Sequence, residues 1–264
     1  MKTKVSPALT NRIILLGASN LTLSLRLAIQ AMQRQLDSPS EVLVAVGHGR
    51  AYGICSSIMR RKLPGILDSG LWTQLAASEP LPSYALLTDI GNDILYELLP
   101  GRILSSIEQC IDQLQQQSAQ VVMTNLPLAS IESLTERRYL FFRNIFYPFC
   151  QLPRDITVQR ARELHAGLVA LAARKDITLY EQDPRWFGPD GIHVDYWKRQ
   201  AFYEDVVRFF EVLESQSLKA NSINRESLDW LQRPTFAFKT LFGFDLHCPQ
   251  PSGFLTNDSS VCKY

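Results

Sequence analysis

The sequence predicts an α/β fold, a three-layer α/β/α sandwich around a five-stranded parallel sheet, and two observations predict it. Short apolar runs alternate with longer segments of helical periodicity along most of the chain, the order expected of parallel strands joined by right-handed helical crossovers. Several of these runs also end in polar loops, most of them glycine-bearing, and in such sheets the ligand site lies beyond the carboxyl ends of the strands. At 264 residues and 46% hydrophobic content, the chain is long and apolar enough for one large domain with a substantial core.

The elements follow in order. Ile13 to Leu16 reads as a buried strand, and Leu21 to Gln35 as an amphipathic helix with Leu21, Leu25, Ala28, Ile29 and Met32 on one face. Glu41 to Val46 is the second strand, and the glycine-rich loop 47–53 leads into a helical stretch through Arg61. Pro64-Gly65 breaks it, and Ile66 to Ala77 makes a further short helix. Tyr84 to Leu87 and Gln120 to Thr124 are the third and fourth strands, with a helix over Ile103 to Gln115 between them. Residues 130–153 are aromatic and basic, and read equally as a lid insertion over a pocket or as a buried helix pair with a solvated basic face. A helix over Ile156 to Ala173, a fifth strand at Ile177 to Tyr180 and a helix over Tyr196 to Leu213 close a domain spanning 1–214. Residues 215–264 break the pattern and are expected to form an extension, partly helical near Glu226 to Leu231 and otherwise irregular.

Composition narrows the function. Lys and Arg total 27 against 26 Asp and Glu, a net charge of +1, so no global field steers the chain to nucleic acid or to an anionic membrane. The first residues lack the apolar core of a signal peptide and no later run is long enough to cross a bilayer, so the expectation is a soluble, cytoplasmic protein without membrane insertion. Five irregularly spaced cysteines contain no Cys-x-x-Cys pair and read as reduced thiols, with Cys55 assigned to the core. His48 and His193 lack metal-ligand spacing, so no metal is expected.

Four loops carry the chemistry. Ser19 stands where the first strand turns into its helix, a position that suits a nucleophile but also an ordinary helix cap. Gly49 follows the second strand, Asn92 the third, and the pair Asp190 and His193 the fifth. Together they supply what a serine esterase needs in one cleft. His193 would accept the Ser19 proton and return it to the leaving group, with Asp190 orienting the imidazole. The N–H groups of Ser19 and Gly49 and the Asn92 side-chain amide would donate to the oxyanion, with Gly47 and Gly53 as competing glycines. Arg50 and Tyr52, next to Gly49, are the candidate substrate contacts, while Asp89 and Asp93 read as structural.

This order resembles the SGNH, or GDSL-type, hydrolase superfamily over roughly Ile13 to Tyr196. Gly17-Ala18-Ser19-Asn20 stands at the family's Gly-Asp-Ser block, Gly49-Arg50 at its second block, Ile90-Gly91-Asn92-Asp93 at its Gly-x-Asn-Asp block and Asp190-Gly191-Ile192-His193 at its Asp-x-x-His block. Ala18 replaces the usual aspartate and Ile90 the first glycine of the third block. The resemblance implies a flavodoxin-like sheet and, without cofactor or metal, hydrolysis of an ester, a thioester or a sugar acetyl group through an acyl-serine, with a small-molecule ester or acylated carbohydrate as partner. Two other classes fit parts of the sequence. A binding or scaffold protein that kept the fold but lost catalysis would account for Ala18 and Ile90. A dinucleotide-binding turn would account for Gly47, Gly49 and Gly53, but lacks the acidic residue expected after the next strand and leaves Asp190 and His193 idle.

Overall fold

Successive residues of the central strands enter two separate cores. In the computed structural model, which describes residues 9–58, 60–211 and 228–264, Ile14 and Leu16 of β1 (Asn11–Leu16) lie with Leu43 and Ala45 of β2 (Ser40–Ala45) on one face. Ile13, Leu15, Val42 and Val44 lie on the other. A sheet buried on both faces requires apolar residues at every position, which is why these strands read as continuous runs and not as alternating ones. The face carrying Ile13 packs on α1 (Ser19–Leu36) through Leu21, Leu25, Ala28, Ile29 and Met32, the stripe the periodicity predicts.

The chain then forms a hairpin, β3 (Ser56–Ile58) and β4 (Arg61–Leu63), followed by α2 (Leu71–Ala77) and β5 (Ser83–Leu87). After α3 (Asn92–Leu95) and α4 (Pro100–Gln116) comes β6 (Gln120–Thr124). Next are α5 (Leu128–Glu132), α6 (Glu136–Phe146), α7 (Arg154–Lys175) and β7 (Thr178–Tyr180). Helices α2, α4 and α7 cover the Ile14 face through Leu71, Ile107 and Leu168, and α8 (Arg199–Val206) joins α1 on the opposite face through Phe202 and Val206. The expected helix over 196–213 is thus shorter, flanked by 3-10 turns at Tyr196–Lys198 and Val207–Phe209, and residues 212–213 lie outside the described ones.

The five expected strands are present and parallel, in the order β7-β6-β5-β1-β2, but the sheet does not stop there. The sequence continues through β8 (Trp230–Gln232), β9 (Phe238–Leu241), β10 (Phe244–His247), β11 (Gly253–Leu255) and β12 (Ser260–Lys263). Strand β12 pairs parallel to β2, and β11 and β8 follow antiparallel, so the sheet has eight strands. The described part of the extension, 228–264, thus carries five strands, which corrects the expectation of helix or irregular chain; Glu226 and Ser227 lie outside the described residues. The cause is tertiary. Val261 and Cys262 fall into the two cores on either side of the sheet, and the Ser259 hydroxyl accepts from Gln33 Nε2 at 2.8 Å and from Ser40 N at 2.9 Å, anchoring the turn before β12 to the end of α1 and the start of β2.

The helix expected through Arg61 is likewise a correction. Segment 56–63 is a hairpin because β4 pairs with β9 in a second, four-stranded antiparallel sheet ordered β10-β9-β4-β3. Cys55, assigned to the core, is exposed. Among the described residues no helix is long and apolar enough to cross a membrane.

Candidate active site

The loops after β1, β2, β5 and β7 converge at the carboxyl edge of the sheet. Ser19 is the first residue of α1, and its Oγ lies 2.8 Å from His193 Nε2. His193 Nδ1 lies 2.6 Å from Asp190 Oδ2. The second oxygen of Asp190 accepts from the N–H groups of Ile192 at 3.1 Å and His193 at 2.9 Å, so the carboxylate is fixed by the backbone of the loop that carries the imidazole. Burial pushes the Asp190 carboxyl up, but its hydrogen bonds with the His193 ring, the ring's charge and the two N–H groups outweigh this and hold it below the ordinary range.

Ser19, Gly49 and Asn92 line one cavity together with His193. Among the described residues, neither the Ser19 nor the Gly49 N–H has a hydrogen-bond acceptor. Asn92 Nδ2 has only a long contact, 3.5 Å, to Arg50 O. The two backbone N–H groups thus have no acceptor, and the Asn92 amide has only this long one. Gly49 sits at φ +62°, and a Cβ there would stand 2.7 Å from Ile58, so glycine is required for both conformation and space. The Tyr96 hydroxyl donates to Gly49 O at 2.7 Å and holds this peptide in place. Gly17 is required for space alone: a Cβ there would lie 2.7 Å from the Thr88 methyl.

Three residues missing from the sequence-derived site hold it together. Asn20 is buried, and its Nδ2 donates to Asp89 Oδ1 at 2.8 Å and to Ile192 O at 2.9 Å, while its Oδ1 accepts from Val194 N at 2.8 Å. It therefore grips the residues on both sides of His193. Asp89 accepts from Ala18 N at 2.8 Å and Leu21 N at 3.3 Å. A carboxylate from the neighbouring loop thus caps the start of α1, where Ala18 has no side chain to contribute. Phe146 of α6 meets the His193 ring edge-on, centroids 5.2 Å apart. A polar residue directly after Ser19 was the available sequence signal for Asn20; nothing local marks Phe146.

Arg50 and Tyr52 do not contact this space, which corrects their reading as substrate contacts. Both are fully buried. Arg50 donates to the carbonyls of Val46, Pro64 and Tyr264, and burial pulls its guanidinium down to about 9. The Tyr52 hydroxyl donates to Thr88 O at 2.8 Å and Leu16 O at 3.0 Å. Asp93, also fully buried, accepts from Tyr52 N and Gly53 N and ties the second loop to the third. Loop 47–53 leads into β3 and not into a helix, so it lacks the helix N-terminus that a dinucleotide phosphate would need.

Two cavities meet at Ser19. The inner one, narrow at about 100 Å³, runs under α5 and α6 and is walled by Ile94, Leu126, Leu134, Phe142 and Phe146. The outer one, about 930 Å³, is broad and open. The aromatic segment is thus a wall of the site, and two of its arginines bond backbone carbonyls: Arg138 that of Pro189, and Arg143, which also lines the inner cavity, that of Leu152 at 3.0 Å. Among the described residues no group of three His, Cys, Asp or Glu is placed to hold a metal ion.

No family model matches the chain, and no curated protein matches it. Solved structures do resemble it. The inhibitor-bound form of an aryl esterase from M. smegmatis aligns with a TM-score of 0.51 and 19% identity, over 75% of this chain and 100% of that one. A second crystal structure aligns with a TM-score of 0.53 and 13% identity, over 80% of this chain and 99% of that one. AlinE4, an SGNH-hydrolase family esterase, aligns at 0.42 and 12% identity over 83% of this chain and 100% of that one. What this chain shares with the first two is the fold, an α/β/α sandwich around a mainly parallel sheet.

Proposed function

We propose that this chain is a serine hydrolase of ester bonds that works through an acyl-serine intermediate. The observation that carries the reading is the hydrogen-bonded series from Ser19 Oγ through His193 to Asp190, at 2.8 and 2.6 Å. In that reading His193 Nε2 takes the hydroxyl proton as Ser19 Oγ bonds to the acyl carbon, and the carbonyl electron pair moves onto oxygen. The Ser19 and Gly49 N–H groups and Asn92 Nδ2 receive that negative charge, each such donor supplying roughly 3 kcal/mol of transition-state stabilisation. Collapse breaks the bond to the leaving group, which departs with the proton from His193. Water, deprotonated by the same ring, then releases the acid and restores Ser19. Asp190 keeps Nδ1 protonated and balances the imidazolium.

Neither departure from the family motif opposes this. Ala18 contributes its N–H to Asp89, and Ile90 is buried in the core. A fluorophosphonate probe is expected to label the protein stoichiometrically at Ser19, and a short-chain aryl ester to be turned over. Ser19→Ala should abolish both. A folded protein that neither reacts with the probe nor hydrolyses the ester would overturn the proposal in favour of a binding protein on a hydrolase fold.

A further inference from the structure

The two cavities at Ser19 differ in charge as well as in width. His193 lines only the outer one, and a leaving alcohol or thiol must collect its proton from His193 Nε2. The leaving half of the substrate therefore belongs in the outer cavity and the acyl half in the narrow apolar one. His48, Arg61 and Arg199 line the outer cavity, and among the described residues no Asp or Glu does. Among the described residues neither arginine is in an ion pair. Arg61 Nε is buried without an acceptor, and the same side chain reaches only the His48 carbonyl, at 3.4 Å.

Positive charge continues behind Arg61. Arg61, Lys239 and Lys263 surround the Phe236 ring at 5.4, 5.9 and 4.1 Å from its centroid, and among the described residues no acidic side chain pairs with either lysine. Burial together with Arg61, Lys239 and Arg50 pulls the Lys263 ammonium down to about 8. Burial, then the charges of Arg61, His193 and Lys263, lowers His48, so the cationic character of the cavity comes from its arginines. Partly desolvated cations without counter-charges are costly and raise the local concentration of anions. The rim adds exposed apolar side chains, Leu23, Ile145 and Phe149, which suit an organic body more than a free inorganic ion.

We infer that the outer cavity binds a leaving group carrying a phosphate or carboxylate, so that the substrate joins an apolar acyl chain to an anionic alcohol or thiol. This rests on the hydrolase reading above. The anionic group takes no part in bond making: the leaving oxygen or sulfur receives the His193 proton while the anion is held by Arg61 and Arg199.

Three esters on one frame test it: phenyl hexanoate, 4-carboxyphenyl hexanoate and 4-phosphonooxyphenyl hexanoate. At low ionic strength KM should be about ten-fold lower for at least one anionic ester than for the neutral one, and the difference should shrink in about 0.5 M NaCl. The carboxylate and phosphate arms tell which anion is preferred. Arg61→Gln, and separately the rim variant Arg199→Gln, should each reduce the anionic-to-neutral ratio of kcat/KM several-fold. Equal KM for all three, with the neutral ester hydrolysed, would overturn the anion site and leave the hydrolase intact. Calorimetric Kd values for the same esters on Ser19→Ala decide the point without turnover. If no ester is hydrolysed by the unmodified protein, the hydrolase reading fails, and the Kd ratio still supports or overturns the anion site.

Discussion

Two segments at the carboxyl edge of the sheet each depend on an aspartate that accepts two backbone N–H groups, Asp190 partly buried and Asp93 fully buried, and the two carboxyls are driven in opposite directions. In the loop after β7, Asp190 also faces the His193 ring and lies below the ordinary carboxylate range. In the loop after β5, Asp93 accepts from Tyr52 and Gly53, has no cation beside it, and is raised by burial to about 6. Fully buried Asp93, with backbone donors alone, is raised, whereas Asp190, less deeply buried and bonded to an imidazole as well, is lowered. The first carboxylate fixes the His193 ring; the second ties the loop after β2 to the segment after β5.

The largest test of that contrast is Asp190→Asn. An amide can hold the ring but favours the wrong tautomer and cannot balance an imidazolium, so kcat should fall by about 10⁴-fold with folding retained. A loss of less than ten-fold would show that Asp190 only stabilises its loop. Asn20→Ala comes next. It frees both neighbours of His193 while leaving the Ser19, His193 and Asp190 side chains unchanged. A misplacement of about 1 Å should lower kcat by roughly 10²-fold with little change in KM. Asn20→Asp keeps the acceptor for Val194 N but sets an oxygen against Asp89 and Ile192 O, and should cost at least as much as alanine; a rise in KM alone would refute the positioning role.

Asp93→Asn sharpens the comparison from the side of stability. Folding raises the Asp93 value from an ordinary 3.8 to about 6, so the fold favours the protonated form. That contribution is whole below about pH 4 and is lost as the pH rises through about 6, on the order of 2–3 kcal/mol. For Asp190 the order is reversed: its contribution is present above the ordinary carboxylate range and disappears as the pH falls through its lowered value. Urea midpoints between pH 4 and 7 should therefore decline in the unmodified protein relative to Asp93→Asn. Parallel curves would mean that Asp93 is ionised without penalty.

What the sequence reveals about this edge depends on how local each cause is. The five parallel strands are legible because burial on both faces leaves unbroken apolar runs, as in Ile13 to Leu16. Ser19, Gly49, Asn92, Asp190 and His193 are legible as an ordered set, and the structure brings all five together. Strands β4 and β12 are not, because their partners are remote: Arg61 pairs with Leu241, and Val261 with Val42. Arg50 shows the limit of adjacency. It follows Gly49 directly, but its side chain leaves the cavity for the carbonyls of Val46 and Pro64, a direction that position in the chain does not encode. Asn20 is visible as a polar residue after Ser19, but its role depends on Ile192 and Val194, more than 170 positions further along the chain.

The smallest expected effect separates burial from contact at Tyr52. Its hydroxyl stitches the ends of β1 and β5, but Leu16 O also accepts from Thr88 N at 2.9 Å, so Tyr52→Phe leaves chiefly the Thr88 carbonyl without a partner. The cost should be about 1–2 kcal/mol, read as a lowered urea midpoint. Because the ring reaches neither cavity, kcat/KM for an aryl ester should stay within about two-fold well below the unfolding transition. The opposite pattern, an unchanged midpoint with a KM raised ten-fold or more, would place Tyr52 against the substrate after all. It would also mean that the second loop opens in solution, since no smaller movement exposes a side chain whose hydroxyl is bonded beneath the sheet edge.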